Sequence, residues 1–217
     1  MALIHEVLGE LFGEGITEND VREAFTLDHP AYTSHAMVQE QQRGVLVHGD
    51  FNTAAVQCAH AGSFVRWLYR TGGSLVAEHR RIEVLEPYRR QKIARNHVSK
   101  ALAFYESVGI EYVHLQAVDY GPGVWPQLGF EIHESWIREL VRGKFRSIVE
   151  EMGYNVDPPE RMARLATAPA IDGVAPGILA LNRTYVEDLN CQPIVMILDL
   201  QDEHTRRYLD ERGILAT

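Results

Sequence analysis

The sequence is poor in cysteine and contains no long apolar run, and both features exclude classes of protein. Its two cysteines, Cys58 and Cys191, are far apart in the 217 residues and lack the paired spacing of a zinc site or a disulfide framework. The ten histidines show no HExxH or HxH spacing, so we expect no metal site. No apolar run reaches the length of about 20 residues that a membrane-spanning helix needs. We therefore expect no membrane partner.

Basic residues are also scarce. The chain has 21 Lys and Arg residues against 30 Asp and Glu residues, a net charge of −9. Nucleic-acid-binding proteins usually present a basic face, so we expect no nucleic-acid partner. A cationic acceptor is compatible with this charge. Acidic residues interrupt the first apolar stretch, and no basic segment precedes it. We therefore predict no signal peptide and expect a cytoplasmic protein.

The chain is long enough to bury one sizeable core, and we predict a single domain over residues 1–217. Helical spacing of apolar residues predicts a helix over Leu3–Phe12. Thr17 or Asn19 can cap a second, short helix over Glu18–Phe25, and Pro30 closes this region. Residues 31–44 give a poor signal. A strand is predicted from Gly44 to Gly49.

The middle of the chain has the clearest pattern. It predicts a strand over Ser63–Arg70, a Gly-Gly hairpin turn, a strand over Ser74–Leu85, a helix over Ile93–Val108 and a strand over Glu111–Val118. A strand–helix–strand crossover implies a parallel pair of strands with the helix on one sheet face. The loop before the helix follows the carboxyl end of a strand, where open α/β sheets bind ligands.

The last third of the chain reads as helical with one further strand. We predict a short helix at most near Trp125 and a short strand over Phe130–His133. Amphipathic patterns then predict a helical insertion over residues 134–192 and a final helix over Asp202–Arg212, and an apolar run predicts a last strand over 193–200. The predicted fold class is α/β (α+β): a mixed central sheet flanked by helices, with a helical C-terminal extension or insertion.

The stretch Ile82–Ala94, IEVLEPYRRQKIA, carries the chemistry. A strand ends there, and a turn delivers consecutive backbone N–H groups to the start of a helix, where they have no intrahelical partner. The helix dipole adds partial positive charge, and Arg89, Arg90 and Lys92 add full charges. Such a site suits a pyrophosphate. The alternative is a solvated basic turn before a surface helix.

This stretch resembles motif A of the GNAT N-acyltransferase superfamily, whose loop reads Q/R-x-x-G-x-G/A after a strand. Arg89 matches the first position, Ile93 the aliphatic position and Ala94 the last small residue. Lys92 stands where the family usually has glycine. A second segment, Trp125-Pro-Gln-Leu-Gly-Phe, resembles the family's motif Tyr-x-x-x-Gly-Phe. Trp125 stands at the position of the family's tyrosine, which often serves as general acid. Indole cannot deliver a proton as a phenol can, although it could shield or orient a thiol.

The resemblance covers residues 62–132, and it implies a donor-binding core there with a GNAT-like fold. Acyl-CoA is expected between the strands that end near Leu85 and start near Glu111, with no metal. The donor-binding residues that the resemblance implies are Val84, Leu85, Glu86, Arg89, Arg90, Gln91, Lys92, Ile93, Ala94, Arg95 and Trp125. Residues 1–60 match the family poorly, so the acceptor is not identified.

The resemblance also implies that an amine attacks the thioester directly while a general base takes its proton. Glu78 lies nearest the family's glutamate position on the strand, and Glu83 is the second candidate. Strict alternation places these two carboxylates on opposite faces, unless a bulge changes the phase. A carboxylate paired with a neighbouring arginine is the alternative for each. Tyr120 is a candidate substitute acid, with an ordinary surface tyrosine as its alternative.

The favoured function is an N-acetyltransferase that uses acetyl-CoA as co-substrate and a small-molecule or peptide amine as acceptor. A second hypothesis is a GNAT-like transferase with a carrier-protein or aminoacyl-tRNA donor. A third is a catalytically inactive module that binds acyl-CoA or a protein. The extension over residues 134–217 would fit a partner interface or a homodimer interface.

Overall fold

The structure is a computed structural model that describes residues 3–54, 58–118, 124–133 and 192–215, with isolated positions 136, 147, 150 and 151. The chain divides into two compact units, one formed by Met1–Val113 with Asp199–Thr217 and the other by His114–Leu198. Nearly all of the predicted helical insertion over residues 134–192 lies outside the described residues. The single-domain organisation stays a prediction. Of the helices described, none is long and apolar enough to cross a membrane.

The first unit contains an antiparallel sheet and four described helices. Its strands run in the order β1-β2-β3-β4-β5, each paired with the one before it. The strands are β1 (Asp28–His29), β2 (Tyr32–Gln41), β3 (Gly44–Thr53), β4 (His60–Thr71) and β5 (Ser74–Val84). The helices are α1 (Ile4–Phe12), α2 (Glu18–Phe25), α3 (Ile93–Ser107) and α4 (Glu203–Glu211).

One face of this sheet is buried under the helices. Side chains of β4 alternate between fully buried and half-buried, as expected when a strand has one face in the core. The buried rings of Phe25 on α2, Phe64 on β4 and Tyr105 on α3 form an aromatic cluster. Phe25 stacks on Phe64 with 6.4 Å between ring centroids, and it lies 5.9 Å from Tyr105. This cluster joins the helices to the sheet.

Basic side chains from elsewhere in the unit cap three helices at their C-terminal ends. These bonds run from Arg70 to the carbonyl of Leu11 (2.7 Å), from Lys100 to that of Thr26 (2.6 Å) and from Arg95 to that of Arg212 (2.5 Å). The last carbonyls of a helix lack intrahelical partners, and the dipole favours cations there. The capped helices are α1, α2 and α4.

The parallel pair predicted from the strand–helix–strand order is present. The N–H of Glu111, directly before β6 (Tyr112–Ala117), donates to the carbonyl of Leu75 at the start of β5 over 2.9 Å. The side chains of Ser74 and Glu111 are also hydrogen-bonded. Because both strands begin at the same edge, they run in the same direction. The sheet is therefore mixed, and the predicted class, a mixed central sheet flanked by helices, is confirmed.

The second unit contains the rest of β6, a short 3₁₀ helix over Trp125–Leu128, β7 (Glu131–Ile132) and β8 (Ile194–Asp199). Its strands follow the order β6-β8-β7, and β7 pairs antiparallel with β8. The predicted strand over residues 193–200 is thus found, shorter by one residue at each end. Gly129 ends the 3₁₀ helix with φ of 88°, a conformation that glycine adopts without strain.

The sequence prediction was wrong for β2, which it left unassigned, and for β3, which continues to Thr53. The tight turn between these strands is made by Gln42 and Arg43, with φ of 39° and 63°. Two-residue hairpin turns usually carry Asn or Gly at such positions, and this pair gives no turn signal. In contrast, the Gly-Gly turn between β4 and β5 was predicted, and both glycines have positive φ.

A stability comparison of two glycines tests the packing of the sheet. A Cβ at Gly49 on β3 would lie 2.1 Å from the carbonyl oxygen of His35 on β2, whereas one at Gly9 on α1 would meet no atom within 4 Å. We expect Gly49→Ala to lower the free energy of unfolding by about 3 kcal/mol, because the backbone of β2 has to move. We expect the control Gly9→Ala to raise it by about 0.5–1 kcal/mol. Urea titration measures both, and an unchanged midpoint for Gly49→Ala would contradict the β2–β3 register.

Candidate functional site

The loop that the sequence singled out joins β5 to α3. After Val84 come a 3₁₀ turn over Glu86–Tyr88 and four exposed residues, Arg89 to Lys92. Arg90 and Lys92 have left-handed backbones, with φ of 66° and 62°. Left-handed residues in such a turn can aim successive N–H groups at one point, which is the arrangement of an anion-binding nest.

The left-handed backbone of Lys92 explains its place in the motif. Lys92 occupies the position where the GNAT motif has glycine, and its backbone has a left-handed conformation that glycine adopts more readily than any other residue. The conformation is therefore kept although the residue differs. An L-residue there costs about 1–2 kcal/mol relative to the right-handed region. The substitution introduces an ammonium group on the residue that directly precedes α3.

Helix α3, which is described along its whole length, has an N-terminus without a side-chain cap and without an acidic residue in its first turn. The other described helices each carry an acid there: Glu6 in α1, Glu18 and Asp20 in α2, and Glu203 in α4. The first intrahelical bond in α3 runs from the N–H of Asn96 to the carbonyl of Lys92 over 2.9 Å. The preceding N–H groups therefore have no partner within the helix, and they can bind an anion.

The side chains of the predicted donor residues have different surroundings. Arg89 donates from Nε to the carbonyl of Val84 over 3.1 Å and thereby folds the loop back onto the end of β5. Ile93 is buried in the core, so only its backbone can reach a ligand. Arg95 directs its guanidinium to the C-terminus of α4. Arg90, Gln91 and Lys92 are exposed.

Sequence reasoning missed Tyr32, which holds this loop from β2. Its hydroxyl donates to the carbonyl of Gln91 over 3.0 Å and accepts from the side-chain amide of Asn96 over 3.0 Å. The ring of His29 stacks on it with 4.2 Å between centroids. Because Tyr32 lies in a region of poor signal, 59 residues before Gln91, no local pattern could have indicated the contact.

The two candidate bases lie on β5 on either side of a bulge. Val65 of β4 pairs with Arg81, and the next residue, Arg66, pairs with His79, so Arg80 is an extra residue in β5. Glu78 is opposite Trp67 and Glu83 is opposite Ser63. Directly opposed residues share a sheet face, and Ser63 and Trp67 lie on one face because strands alternate. The bulge therefore brings both carboxylates to the same face, whereas strict alternation places them on opposite faces.

Both carboxylates are paired with arginines on that face. Glu83 forms an ion pair with Arg81, and hydrogen bonding from Arg81 lowers the pKa of the Glu83 carboxyl. Glu78 accepts from Arg80 over 3.3 Å, and the Arg80 guanidinium lies 4.4 Å from the centroid of the Trp67 ring. A lowered pKa weakens a carboxylate as a base at neutral pH. The Glu83 carboxylate is thus poorly suited to accept a proton.

The remaining predicted residues do not belong to this loop. Trp125 lies in the second unit, where its ring is buried with 8% of its surface exposed and packs edge-on against Phe130 at 5.1 Å. Its predicted contact with the acyl donor stays a prediction. Tyr120 lies outside the described residues. Within the described part of the chain, no group of three or more His, Cys, Asp or Glu side chains is placed to hold a metal ion.

Comparison with known proteins finds likenesses at the level of structure. No protein-family model matches the sequence, and no curated protein matches it. A GNAT family acetyltransferase from Elizabethkingia anophelis with acetyl-CoA bound is 12% identical over 79% of this chain and 100% of that one, with a TM-score of 0.40. Naa50 of Arabidopsis thaliana, in complex with the bisubstrate analogue CoA-Ac-MVNAL, is 18% identical over 40% of this chain, with a TM-score of 0.35.

A third structure, AtaTR bound with AcCoA, is 12% identical over 41% of this chain, with a TM-score of 0.35. This chain spans 58% of the length of Naa50 and 60% of that of AtaTR. At these identities the likeness concerns the fold alone, and the chemistry has to follow from this chain's own residues.

The backbone of Lys92 can be tested through stability. We expect Lys92→Gly to raise the free energy of unfolding by about 0.5–1 kcal/mol, because relief of the left-handed strain exceeds the added flexibility of the unfolded chain. We expect Lys92→Val to lower it by about 1 kcal/mol or more, since β-branched residues resist positive φ. Lys92→Ala is the matched control and should stay close to the parent in urea titration. Equal stability of the Val and Ala variants would contradict the left-handed backbone.

Proposed function

We propose that this chain is an acyl-CoA-dependent N-acyltransferase, with acetyl-CoA as the favoured co-substrate and a small-molecule or peptide amine as acceptor. The observation that carries the proposal is the Tyr88–Arg95 loop. It combines left-handed backbones at Arg90 and Lys92 with an uncapped helix N-terminus that has no acidic residue in its first turn. A diphosphate group is the ligand for which this geometry is best suited.

Electrostatics support a polyanionic ligand at this point. The chain as a whole has a net charge of −9, yet the exposed residues Arg89, Arg90 and Lys92 lie within four consecutive positions of the loop. The dipole of α3 adds to their field at the same place. Backbone N–H groups and basic side chains can therefore both contact the phosphates of coenzyme A.

The end of β5 suits the rest of the donor. Strands β5 and β6 begin side by side, and β5 leads directly into the loop. The backbone at Val84–Glu86 is extended as far as Leu85 and enters the 3₁₀ turn at Glu86, and it is the segment proposed to hydrogen-bond the amides of a pantetheine arm. The exposed position of Glu86 and the half-buried positions of Val84 and Leu85 are compatible with this role.

The proposed reaction is a direct transfer. The nitrogen of a neutral amine attacks the thioester carbonyl and forms the new C–N bond, the C–S bond breaks, and the CoA thiolate leaves. The amine nitrogen loses a proton to a base, and the thiolate gains one from an acid or from water. Glu78 is the proposed base, since Glu83 is held with a lowered pKa by Arg81. Tyr120 remains the proposed acid.

One observation favours a second function, a catalytically inactive acyl-CoA-binding module. Glu78 and Glu83 each form an ion pair with an arginine, as carboxylates do when they have only a structural role. A transferase with a carrier-protein or aminoacyl-tRNA donor is the other alternative, in which the side chains of Lys92 and Trp125 would reflect a reshaped donor site.

Calorimetric titration with acetyl-CoA, longer acyl-CoAs and free CoA tests the donor site first. Micromolar binding supports the proposal, and a screen of amines for thiol release then separates an enzyme from a binding module. Binding without thiol release from any acceptor favours the module. Absence of binding to every CoA species would contradict the placement of the donor and favour a carrier-dependent donor.

The role of Arg89 can be measured directly. We expect Arg89→Ala to weaken acetyl-CoA binding by about 1–3 kcal/mol, because a charge-assisted contact to phosphate and the bond to Val84 are both lost. Arg22→Ala, which removes an exposed arginine on α2, is the matched control for net charge and should leave the affinity unchanged. Equal affinities of the two variants in calorimetry would show that the pyrophosphate does not lie beside Arg89.

The identity of the base can be tested with two amide substitutions. We expect Glu78→Gln to lower turnover at least tenfold with little change in acetyl-CoA affinity, on the scale of a lost general base. Glu83→Gln should lower turnover less. Rates across pH provide a control: if Glu83 were the base, its lowered pKa would move the acidic limb of the profile below the ordinary range of glutamate. Unchanged turnover of Glu78→Gln at every pH would exclude Glu78 as the base.

A further inference from the structure

The bulge in β5 decides which residues at the end of that strand face the core. Because Arg80 is an extra residue, Ile82 lies opposite the buried Phe64. With the bulge removed and His79 kept in register, Arg81 would take the place opposite Phe64 and Ile82 would move to the outer face. A one-residue slip exchanges the two faces of a strand in this way. The bulge therefore needs a specific interaction that keeps it at Arg80.

The guanidinium of Arg66 makes such an interaction. Its Nη1 donates to the carbonyl of Val65 over 2.9 Å and also to the carbonyl of Arg81. Val65 and Arg81 are the pair of residues that border the bulge, and Arg66 itself pairs with His79 on its other side. A bulge disrupts the ladder of backbone hydrogen bonds. The side chain of Arg66 thus supplies donors at the point where the ladder is interrupted.

Stability alone gives little reason for an arginine at this position. Arg66 is fully buried, and within the described part of the chain its Nε and Nη2 have no hydrogen-bond partner. No carboxylate among the described residues pairs with it, and burial lowers its pKa to about 10, so it is still protonated at neutral pH. Buried charges are costly, and well-packed apolar residues in their place are often neutral or stabilising. The guanidinium also interacts with the Tyr105 side chain, which opposes the lowering of its pKa by burial. The two carbonyl contacts at the bulge are what link arginine at this position to β5.

We propose that Arg66 is a positioning residue that holds the β5 bulge and thereby fixes the strand end Ile82–Leu85. The effect of Arg66 on ligand binding rests on the proposed function, in which that strand end receives the acyl donor. Arg66 does not touch the donor itself, since its guanidinium is buried on the core face. It acts through the carbonyls of Val65 and Arg81.

Two measurements on the full chain test this proposal. Hydrogen exchange reports on the bulge, and calorimetry with acetyl-CoA reports on the donor site. In Arg66→Met, we expect the amides of Arg81–Val84 to exchange at least about tenfold faster while those of Leu75–Ala77 keep their rates, as a lost charge-assisted hydrogen bond implies. The Kd for acetyl-CoA should rise by a similar factor. Leu68→Met is the matched control, a fully buried residue of the same strand and face.

Arg66→Lys provides a second variant if the methionine variant does not fold. Lysine keeps the charge and can donate to one of the two carbonyls, so it should show exchange rates and a Kd between those of the parent and Arg66→Met. Unchanged exchange at Arg81–Val84 together with an unchanged Kd would overturn the proposal. A uniform rise in exchange throughout β4 and β5 would also overturn it, because Arg66 would then contribute only to global stability.

The two measurements separate failure of this inference from failure of the proposed function. If the parent protein binds no acetyl-CoA, the proposed function fails, and the exchange comparison still decides whether Arg66 holds the bulge. If the parent binds acetyl-CoA and Arg66→Met binds it equally well with local exchange unchanged, the proposed function stands and the role of Arg66 is refuted.

Discussion

At the bulge in β5, the alternation of side chains between the two sheet faces shifts by one residue, so that both His79 and Ile82 face the core. The arrangement of the described site depends on this shift and on the hydrogen bonds from Arg66 to the carbonyls of Val65 and Arg81. Upstream of the bulge, the strand faces α3 with His79, whose ring bonds to the hydroxyl of Tyr105. Downstream, it delivers Val84 and Leu85 to the loop. Burial lowers the pKa of His79 well below its usual value, so the ring packs there as a neutral group. The bulge thus joins a conventional core strand to the strand end that leads into the 88–95 loop.

The loop after β5 concentrates positive charge in an acidic protein. Its backbone conformation and the uncapped start of α3 act at the same place as its basic side chains, so the attraction for an anion does not depend on any single residue. Tyr32 gives the loop a fixed attachment to β2. A loop that is anchored at Tyr32 and at Val84 needs little reorganisation when a ligand binds, which reduces the entropic cost of binding.

The periodicity of apolar residues and the residue types at turns predicted much of the fold. Both failed where the chain has residue types that are unusual for the conformation they adopt. Helix α1 was predicted because its apolar spacing is typical, and the strands around the Gly-Gly turn were predicted because their turn residues are typical. β2 was missed because Gln42 and Arg43 make its turn without glycine. In the same way, Lys92 departs from the glycine of the motif in residue type, although its backbone adopts the left-handed conformation that glycine favours. Tyr32 and Arg66 act through contacts between distant parts of the sequence, which no local pattern reveals.

The attachment of α4 has a consequence for how the protein folds. Arg95 reaches the carbonyl of Arg212, and Ser99 that of Ile214, so residues 117 and 115 positions apart have to meet before the first unit is complete. The chain between them contributes the second unit. Such contacts raise the mean sequence separation within the unit, which slows folding more than it weakens the final state. During synthesis, α3 is therefore made before α4, the helix whose C-terminal end Arg95 contacts.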